Sequence, residues 1–147
     1  MSSKSLRIFL ADDDDDDRFL FRDALYEISP THQLVVANNG KEMMETLESE
    51  IPPLPQYLFL DINMPLKNGL DCLQDIKNIP ILQPIPVIMF STSTHEGHVK
   101  RAKELGAYRY VRKPKTFQGL KKLLQEIVNV QSEKNSSDTA DFLITSF

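Results

Sequence analysis

Carboxylates, a hydroxyl and an ammonium group follow short apolar runs at four places in the sequence. Asp12 and Asp13 follow the run RIFLA, and Asp61 follows YLFL. Ser91 follows VIMF, and Lys113 comes shortly after YRYV. Carboxylates that are packed together repel one another, so they need a cation or must take up protons. Oxygen ligands of this kind suit a hard divalent ion, and Mg²⁺ keeps waters that a phosphate oxygen can replace.

The chemistry open to this set of residues is phosphoryl transfer. Asp61 has a carboxylate oxygen that can attack phosphorus, which would give an aspartyl phosphate. The metal ion, the Lys113 ammonium and the Ser91 hydroxyl would then share the oxygens of the transferring group. Such transfer depends mostly on positioning and on charge neutralisation, and the set offers both.

These residues meet only if the chain folds around a parallel sheet. Apolar runs of strand length alternate with stretches in which apolar residues recur at helical spacing, in the order βαβαβαβαβα. Alternation of this kind predicts an α/β fold with a doubly wound sheet, whose strands all end at one edge. Ligands bind at that edge, beside the point where the strand order reverses. The predicted strands are 7–11, 33–37, 57–60, 87–90 and 108–111.

Composition narrows the class of protein. The chain has 147 residues, 41% of them hydrophobic and 26% charged, which suits one globular core. Its net charge of −4 and the absence of a basic cluster argue against nucleic-acid binding. The single cysteine, Cys72, excludes an internal disulfide. No apolar run approaches the roughly 20 residues of a membrane span, and no signal-peptide pattern is present, so we expect a cytoplasmic protein.

The composition changes near residue 131, which predicts a domain over 1–131 and a tail over 132–147. The first part of the tail, SEKNSSDTAD, is polar and predicts a flexible linker. The tail ends in an apolar patch that either stays in water or docks on the domain or on a partner. The large apolar residues of this patch are Phe142, Leu143, Ile144 and Phe147.

The ordered set of site residues resembles the receiver domains of two-component response regulators, which have the chemotaxis-type fold. The resemblance covers about Leu6 to Gln131 and has four parts. These are the pair Asp12-Asp13, Ser91, the pair Lys113-Pro114, and the segment DINMPLKNG, which begins at Asp61. It implies a flavodoxin-like (βα)5 sandwich with a five-stranded parallel sheet in the order 2-1-3-4-5.

The resemblance also implies a role for each residue of the metal site. Asp61 is the expected phospho-acceptor. Asp13 is expected to bind Mg²⁺ directly, Asp12 mainly through water, and Asn63 through its backbone carbonyl. Lys113 is expected to pair with Asp61 and later with the phosphoryl group, and its bond to the following proline is expected to be cis.

Three further residues are implied in the response to phosphorylation. Ser91 is expected to bond the phosphoryl group and to move toward it. Tyr110 stands where the family has an aromatic switch residue that turns inward when Ser91 moves. Thr92 stands where many receivers have Ala or Gly, and its bulk is expected to narrow access to the phosphoryl group.

The function implied is that of a single-domain response regulator, not an enzyme acting on external substrates. A histidine kinase or phosphotransfer protein would supply the phosphoryl group, and a downstream protein would bind a surface formed by the fourth helix, fifth strand and fifth helix. The residues after Gln131 are too few for a DNA-binding helix-turn-helix. We expect a monomer or weak dimer without nucleic-acid or membrane partners.

Other interpretations fit part of the sequence. A Mg²⁺-dependent phosphatase of the haloacid-dehalogenase type needs DxDx(T/V), which the run ADDDDDD does not complete. A silent receiver that serves as a scaffold would not need the complete residue set. The acidic run also has the spacing of part of a Ca²⁺ loop, but Asp17 stands where that loop requires glycine. Asp14 and Asp15 either attract the cation or cap the first helix, and a solvated charge block is the alternative for Asp14 to Asp17.

Overall fold

The computed structural model describes residues 5–131 and 142–145, and the predicted polar linker lies outside them. The strands are β1 (Arg7–Ala11), β2 (Gln33–Ala37), β3 (Tyr57–Leu60), β4 (Val87–Ser91), β5 (Arg109–Arg112) and β6 (Leu143–Ile144). The helices are α1 (Asp15–Ile28), α2 (Gly40–Glu50), α3 (Gly69–Asn78), α4 (Glu96–Glu104) and α5 (Phe117–Gln131). None of the helices in these residues is long and apolar enough to cross a membrane.

The sheet is parallel throughout and has the strand order β2-β1-β3-β4-β5-β6. The order reverses around β1, which lies between β2 and β3, so the doubly wound α/β prediction is confirmed. Ala11 at the end of β1 is level with Leu60 at the end of β3, and Ser91 is level with Arg112. The residues that follow these strands therefore emerge at one edge.

Apolar cores cover both faces of the sheet. One contains Phe9, Met43 and Leu73 and lies under α2, α3 and α4. The other contains Leu10 and Phe21 and lies under α1 and α5. Because successive residues of a strand point to opposite faces, a strand buried on both sides is apolar at every position. This explains the continuous apolar runs of β1, β3 and β4.

Polar side chains begin the helices that leave the site edge. Asp14 accepts from the N–H of Asp17 at the start of α1, and Asn39 does the same for Glu42 in α2. Asn68 caps α3 by accepting from the N–H of Asp71. Each cap satisfies a backbone donor that the helix itself leaves unpaired. The turns between strand ends and helices are thereby held in place.

The sequence prediction differs from the structure in the sheet. Leu143–Ile144 of the tail form a sixth strand, β6, beside β5, where five strands were expected. Without β6, β5 would be an edge strand with unpaired N–H and C=O groups, and the tail pairs with these groups. Phe142 and Ile144 of the tail also pack against the two cores. The fifth strand also begins at Arg109 instead of Tyr108, whose N–H donates to the Val87 carbonyl at 2.7 Å.

The predicted cis bond at Lys113–Pro114 is wrong. Within residues 5–131 and 142–145, the cis peptide bonds are Ile51–Pro52 and Pro52–Pro53. The trans form of a bond before proline is favoured by about 0.5–1 kcal/mol, so trans is the ordinary outcome unless the surroundings select cis.

Candidate functional site

The backbone of the sheet places two carboxylates side by side at its edge. The N–H of Asp12 donates to the Ala37 carbonyl at 3.1 Å, and the N–H of Asp61 donates to the Ala11 carbonyl at 3.0 Å. Both residues therefore continue the hydrogen-bond ladder just past the ends of β1 and β3. Asp12 is fully buried and Asp61 is 7% exposed, whereas Asp13 is exposed.

The oxygens of Asp12, Asp13 and Asp61 converge. One oxygen from each of these carboxylates lies within 4.8 Å of the others. Asp12 uses Oδ1 to accept from the N–H of Asp14 at 3.0 Å, and its buried Oδ2 contacts the Lys113 ammonium at 2.9 Å. Oxygen donors on two buried strand ends, with a third facing solvent, fit a hard divalent cation that keeps part of its water shell.

Lys113 brings the positive charge that this cluster needs. Its Nζ atom lies 3.0 Å from Asp61 Oδ2, 2.9 Å from Asp12 Oδ2 and 2.8 Å from Asp17 Oδ2. Its backbone N–H donates to the Ser91 carbonyl at 2.8 Å, which ties the end of β5 to the end of β4. The ammonium is thereby fixed at the site edge with its side chain 10% exposed.

Burial and charge act in opposite directions on the ionisation of these groups. Burial raises the pKa of Asp12 to about 6, although Lys113 and the Asp14 N–H lower it. Burial also raises the pKa of Asp61, against the lowering effects of Lys113 and the N–H groups of Asn63 and Ile62. Burial alone would lower the pKa of Lys113, but the hydrogen bonds that its ammonium donates to Asp17 and Asp12 outweigh burial and raise that pKa.

A glycine allows the loop after β3 to pass close to Asp61. The N–H of Gly69 donates to the Ile62 carbonyl at 2.9 Å. A Cβ atom at residue 69 would lie 2.2 Å from the Asp61 carbonyl oxygen, which is far inside van der Waals contact. The glycine of DINMPLKNG is therefore required by the close packing of α3 against the site. Asn63 lies in this loop with its side chain exposed.

The loop after β4 joins Ser91 to Tyr110. Ser91 is buried, and its Oγ accepts from the N–H of Ser93 at 3.3 Å. Tyr110 is fully buried, and its hydroxyl donates to the Ser93 carbonyl at 2.7 Å. Tyr110 therefore points inward and contacts the loop that contains Ser91. Thr92, between the two serines, is exposed.

The acidic run after β1 is divided among several roles. Asp12 and Asp13 belong to the cluster, Asp14 caps α1, and Asp15 pairs with Arg18. Since α1 begins at Asp15, the run starts a helix instead of forming a Ca²⁺ loop. Asp17 reaches the Lys113 ammonium, a contact that the sequence analysis did not find. The spacing of Asp14 and Asp17, a cap and the third helical residue, was the available signal.

Comparisons with known proteins agree with this geometry. Residues 8–125 match the family model of the response regulator receiver domain. The response regulator Rcp1 of Synechocystis sp. is 33% identical over 124 residues, which cover 82% of this chain and 84% of Rcp1. The chain therefore belongs to the response regulator receiver family, and the resemblance identified from the sequence is confirmed.

Solved structures of relatives have the same fold. A phosphorylated cyanobacterial phytochrome response regulator, RcpA, superposes with a TM-score of 0.75 at 29% identity, covering 94% of this chain and 98% of RcpA. The Mn²⁺-bound form of Rcp1 superposes with a TM-score of 0.74 at 30% identity, covering 93% of this chain and 98% of Rcp1.

Some relatives contain the receiver within a larger enzyme. The protein-glutamate methylesterase/protein-glutamine glutaminase of Methanococcoides burtonii is 32% identical over 125 residues. That match covers 84% of this chain but 34% of the methylesterase. The shared part is the receiver alone.

Proposed function

We propose that this protein is a single-domain response regulator that accepts a phosphoryl group on Asp61 in a Mg²⁺-dependent reaction. The observation that carries the proposal is the Lys113 ammonium, 3.0 Å from Asp61, beside a carboxylate cluster that fits a divalent cation. The donor is a histidine kinase or a phosphotransfer protein. Support comes from the relatives, one described as phosphorylated and one as Mn²⁺-bound.

The proposed reaction is one displacement at phosphorus. A carboxylate oxygen of Asp61 forms a P–O bond as the P–N bond of a phosphohistidine breaks, and the imidazole nitrogen keeps the electron pair and takes up a proton. Lys113 neutralises charge that develops on the phosphoryl oxygens. Mg²⁺, when bound by Asp12, Asp13, Asp61 and the Asn63 carbonyl, adds further positive charge at the same place.

Signalling would pass from the site to the face formed by α4, β5 and α5. The Ser91 hydroxyl is the proposed partner of a phosphoryl oxygen, and its loop also supplies the Ser93 carbonyl that Tyr110 contacts at 2.7 Å. Movement of that loop would disturb this contact and hence Tyr110. The Tyr110 N–H also donates to the Phe142 carbonyl at 2.9 Å, so the tail strand adjoins the same switch.

We further propose the domain bounds, the role of Thr92, the location and the oligomeric state of the protein. Residues 1–131 make up the receiver and residues 132–147 a tail that is dispensable for phosphoryl acceptance. Thr92, exposed beside Ser91, restricts access to the phosphoryl group. The protein acts in the cytoplasm as a monomer or weak dimer and binds a downstream protein, without nucleic-acid or membrane partners.

Incubation with acetyl phosphate and Mg²⁺, followed by intact mass measurement, tests the proposal. The wild type should gain the mass of one phosphoryl group, and excess EDTA should prevent the gain. Asp61→Asn should gain nothing, because its amide oxygen is a poor nucleophile. Asp71→Asn, a matched change at an exposed carboxylate on α3, should behave as wild type. A gain that survives in Asp61→Asn would contradict the assignment.

A further inference from the structure

The Lys113 ammonium has more carboxylate partners than the proposed reaction uses. Asp12 and Asp61 are two of them, and both belong to the cluster whose oxygens converge within 4.8 Å. Asp17 is the third partner, and its Oδ2 lies 2.8 Å from Nζ. It is the nearest of the three and is not a member of the cluster.

The backbone around Asp17 holds this contact in place. Asp17 is the third residue of α1, and its N–H donates to Asp14 Oδ1 at 3.1 Å. The Arg18 guanidinium donates to the Asp12 carbonyl at 2.6 Å, which ties the first turn of α1 to the end of β1. Asp17 therefore faces the site from a helical turn that is fastened to the strand carrying the metal-site carboxylates.

A divalent cation and the Lys113 ammonium require the same oxygens. Asp12 Oδ2 and Asp61 Oδ2 both contact Nζ, and both residues are proposed metal ligands. Two positive charges at this distance repel, and an oxygen that is paired with the ammonium is less available to a metal ion. A carboxylate outside the cluster allows the ammonium to withdraw from these oxygens and still keep an ion pair.

We propose that Asp17 is a positioning residue for Lys113, which holds the ammonium beside Asp61 while Asp12, Asp13 and Asp61 take a divalent cation. The inference rests on the proposed function, because it needs that cation site. Without the Asp17 charge, Lys113 has Asp12 and Asp61 as its remaining carboxylate partners in the described part of the chain. The ammonium then binds them more tightly and opposes the cation.

The matched control is Asp16→Asn. Asp16 precedes Asp17 on the same helical turn, is exposed, and forms no ion pair within residues 5–131 and 142–145. Both substitutions remove one negative charge from the first turn of α1, but Asp16→Asn removes it without breaking an ion pair, so it reports the loss of a nearby charge alone. The difference between them isolates the contact with Lys113.

Titration of the full chain with Mn²⁺, followed by electron paramagnetic resonance of the free ion, provides the measurement. Asp17→Asn should raise the Mn²⁺ dissociation constant about three- to fivefold above that of Asp16→Asn, the size expected of a partly exposed ion pair. Asp17→Glu, which keeps the charge, should restore most of the affinity. In a Lys113→Ala background, the two Asn substitutions should have equal effects.

Equal Mn²⁺ binding by Asp17→Asn and Asp16→Asn would overturn the positioning role. The role would also be overturned if, in the Lys113→Ala background, Asp17→Asn still raised the Mn²⁺ dissociation constant above that of Asp16→Asn by the same factor. Failure of the proposed function has a different signature, since the wild type would then bind no Mn²⁺, or Asp13→Ala would bind it as well as the wild type. Either of those results would remove the cation site and this inference with it.

Discussion

The two edges of functional interest in this sheet are built in different ways. At the carboxyl ends of β1, β3 and β5, buried charges meet: Asp12 is fully buried, Asp61 is 7% exposed, and Lys113 lies between them. At the outer edge, β6 is a two-residue strand held beside β5, and Leu143 is 37% exposed. Ion pairs between buried groups stabilise the first edge, whereas backbone pairing and a few apolar contacts stabilise the second.

The difference concerns how much each edge depends on its individual residues. A buried carboxylate that loses its partner must be desolvated without compensation, so single substitutions there have large effects. The two-residue β6 adds few backbone pairs, and its side chains are half-buried or exposed, so single substitutions there should cost less. Changes to the buried charges of the site edge should therefore exceed changes at the β6 edge, and an exposed side chain beside the site, such as Thr92, should matter least.

The largest effect is expected for Lys113→Ala. The change leaves the Asp12 and Asp61 carboxylates without their ammonium, so the free energy of unfolding in EDTA should fall by about 3 kcal/mol. Phosphorylation by acetyl phosphate should slow about tenfold or more, because a charge-assisted contact to the transferring group is lost. Urea denaturation with and without Mg²⁺ measures the first effect, and Mg²⁺ should restore part of the stability.

Lys115→Ala is the control for that experiment. Lys115 is exposed two residues further along the chain and has no ion pair in the described residues. Its removal should leave both unfolding and phosphorylation close to wild type. If Lys113→Ala lowers the free energy of unfolding and the phosphorylation rate no more than Lys115→Ala does, the ion pairs of Lys113 do not contribute as predicted.

The next effect is expected for Asp12→Asn and has the opposite sign. Burial raises the pKa of Asp12 from its ordinary value of 3.8 to about 6, so the folded state holds the proton more tightly. The stability that this group contributes is full below pH 3.8 and is lost as the pH rises through about 6. In EDTA at pH 7, Asp12→Asn should therefore be more stable than wild type by about 1–2 kcal/mol.

Urea denaturation between pH 4 and pH 7 measures this dependence. The wild type should lose stability over that range, and the variant should lose less. Mg²⁺ should bind the wild type more tightly as the pH rises through about 6, because the cation displaces the Asp12 proton. If the free energy of unfolding of the wild type and of Asp12→Asn changed with pH in the same way, the raised pKa of Asp12 would not be the cause of the instability.

A smaller effect is expected at the β6 edge. Phe142 packs on the core under α4, with Lys103 Nζ 5.9 Å from its ring centroid, whereas Leu143 is exposed. Phe142→Ala should lower the free energy of unfolding by about 1 kcal/mol, and Leu143→Ala should leave it nearly unchanged. Equal effects of the two substitutions would show that the tail does not pack as described.

Amide hydrogen exchange sharpens the test of the tail. Deletion of residues 142–147 removes the acceptor of the Tyr110 N–H, which bonds the Phe142 carbonyl at 2.9 Å. Exchange at Tyr110 should therefore accelerate. The Lys113 N–H, which bonds Ser91 across the other side of β5, should keep its protection. If partner affinity and exchange are both unaffected by the deletion, the tail has no part in the switch.

The smallest effect is expected for Thr92→Ala. If the exposed Thr92 side chain shields the phosphoryl group from water, its removal should shorten the lifetime of phosphorylated Asp61 about twofold to threefold, which is less than 1 kcal/mol. Phosphate release after removal of the donor measures the lifetime. Thr94→Ala is the control two residues away, and an equal or longer lifetime in Thr92→Ala would contradict shielding.

The fold and most of the site could be predicted from the sequence because the relevant signals are local. A continuous apolar run predicts a strand that is buried on both faces, as in β1, β3 and β4, and five runs of strand length between helical segments leave few topologies. Asp12, Asp61 and Lys113 each follow a strand directly, so the parallel sheet brings them together. Gly69 belongs to the same local pattern, since the loop after β3 must pass next to Asp61.

Contacts that join distant segments could not be predicted in this way. Asp17 is one of six consecutive aspartates, and its spacing from the cap Asp14 does not tell which of Asp16 and Asp17 faces Lys113. Their difference arises because the helix points one side chain at Lys113, 96 residues further along the chain, and the other at solvent. The packing of α1 against the site thus determines which of the consecutive aspartates contacts the Lys113 ammonium.

Short segments of the sequence were enough to predict that carboxylates, a serine and a lysine gather at one edge of a parallel sheet, because strand periodicity and strand ends are local properties. The contact of Asp17 with the ammonium of Lys113, and the pairing of the tail with β5 as a sixth strand, are seen only in the folded chain. Both outcomes depend on distances between segments that are far apart in the chain. Those distances are set by the packing of helices and of the tail on the sheet, which no local pattern of residues encodes.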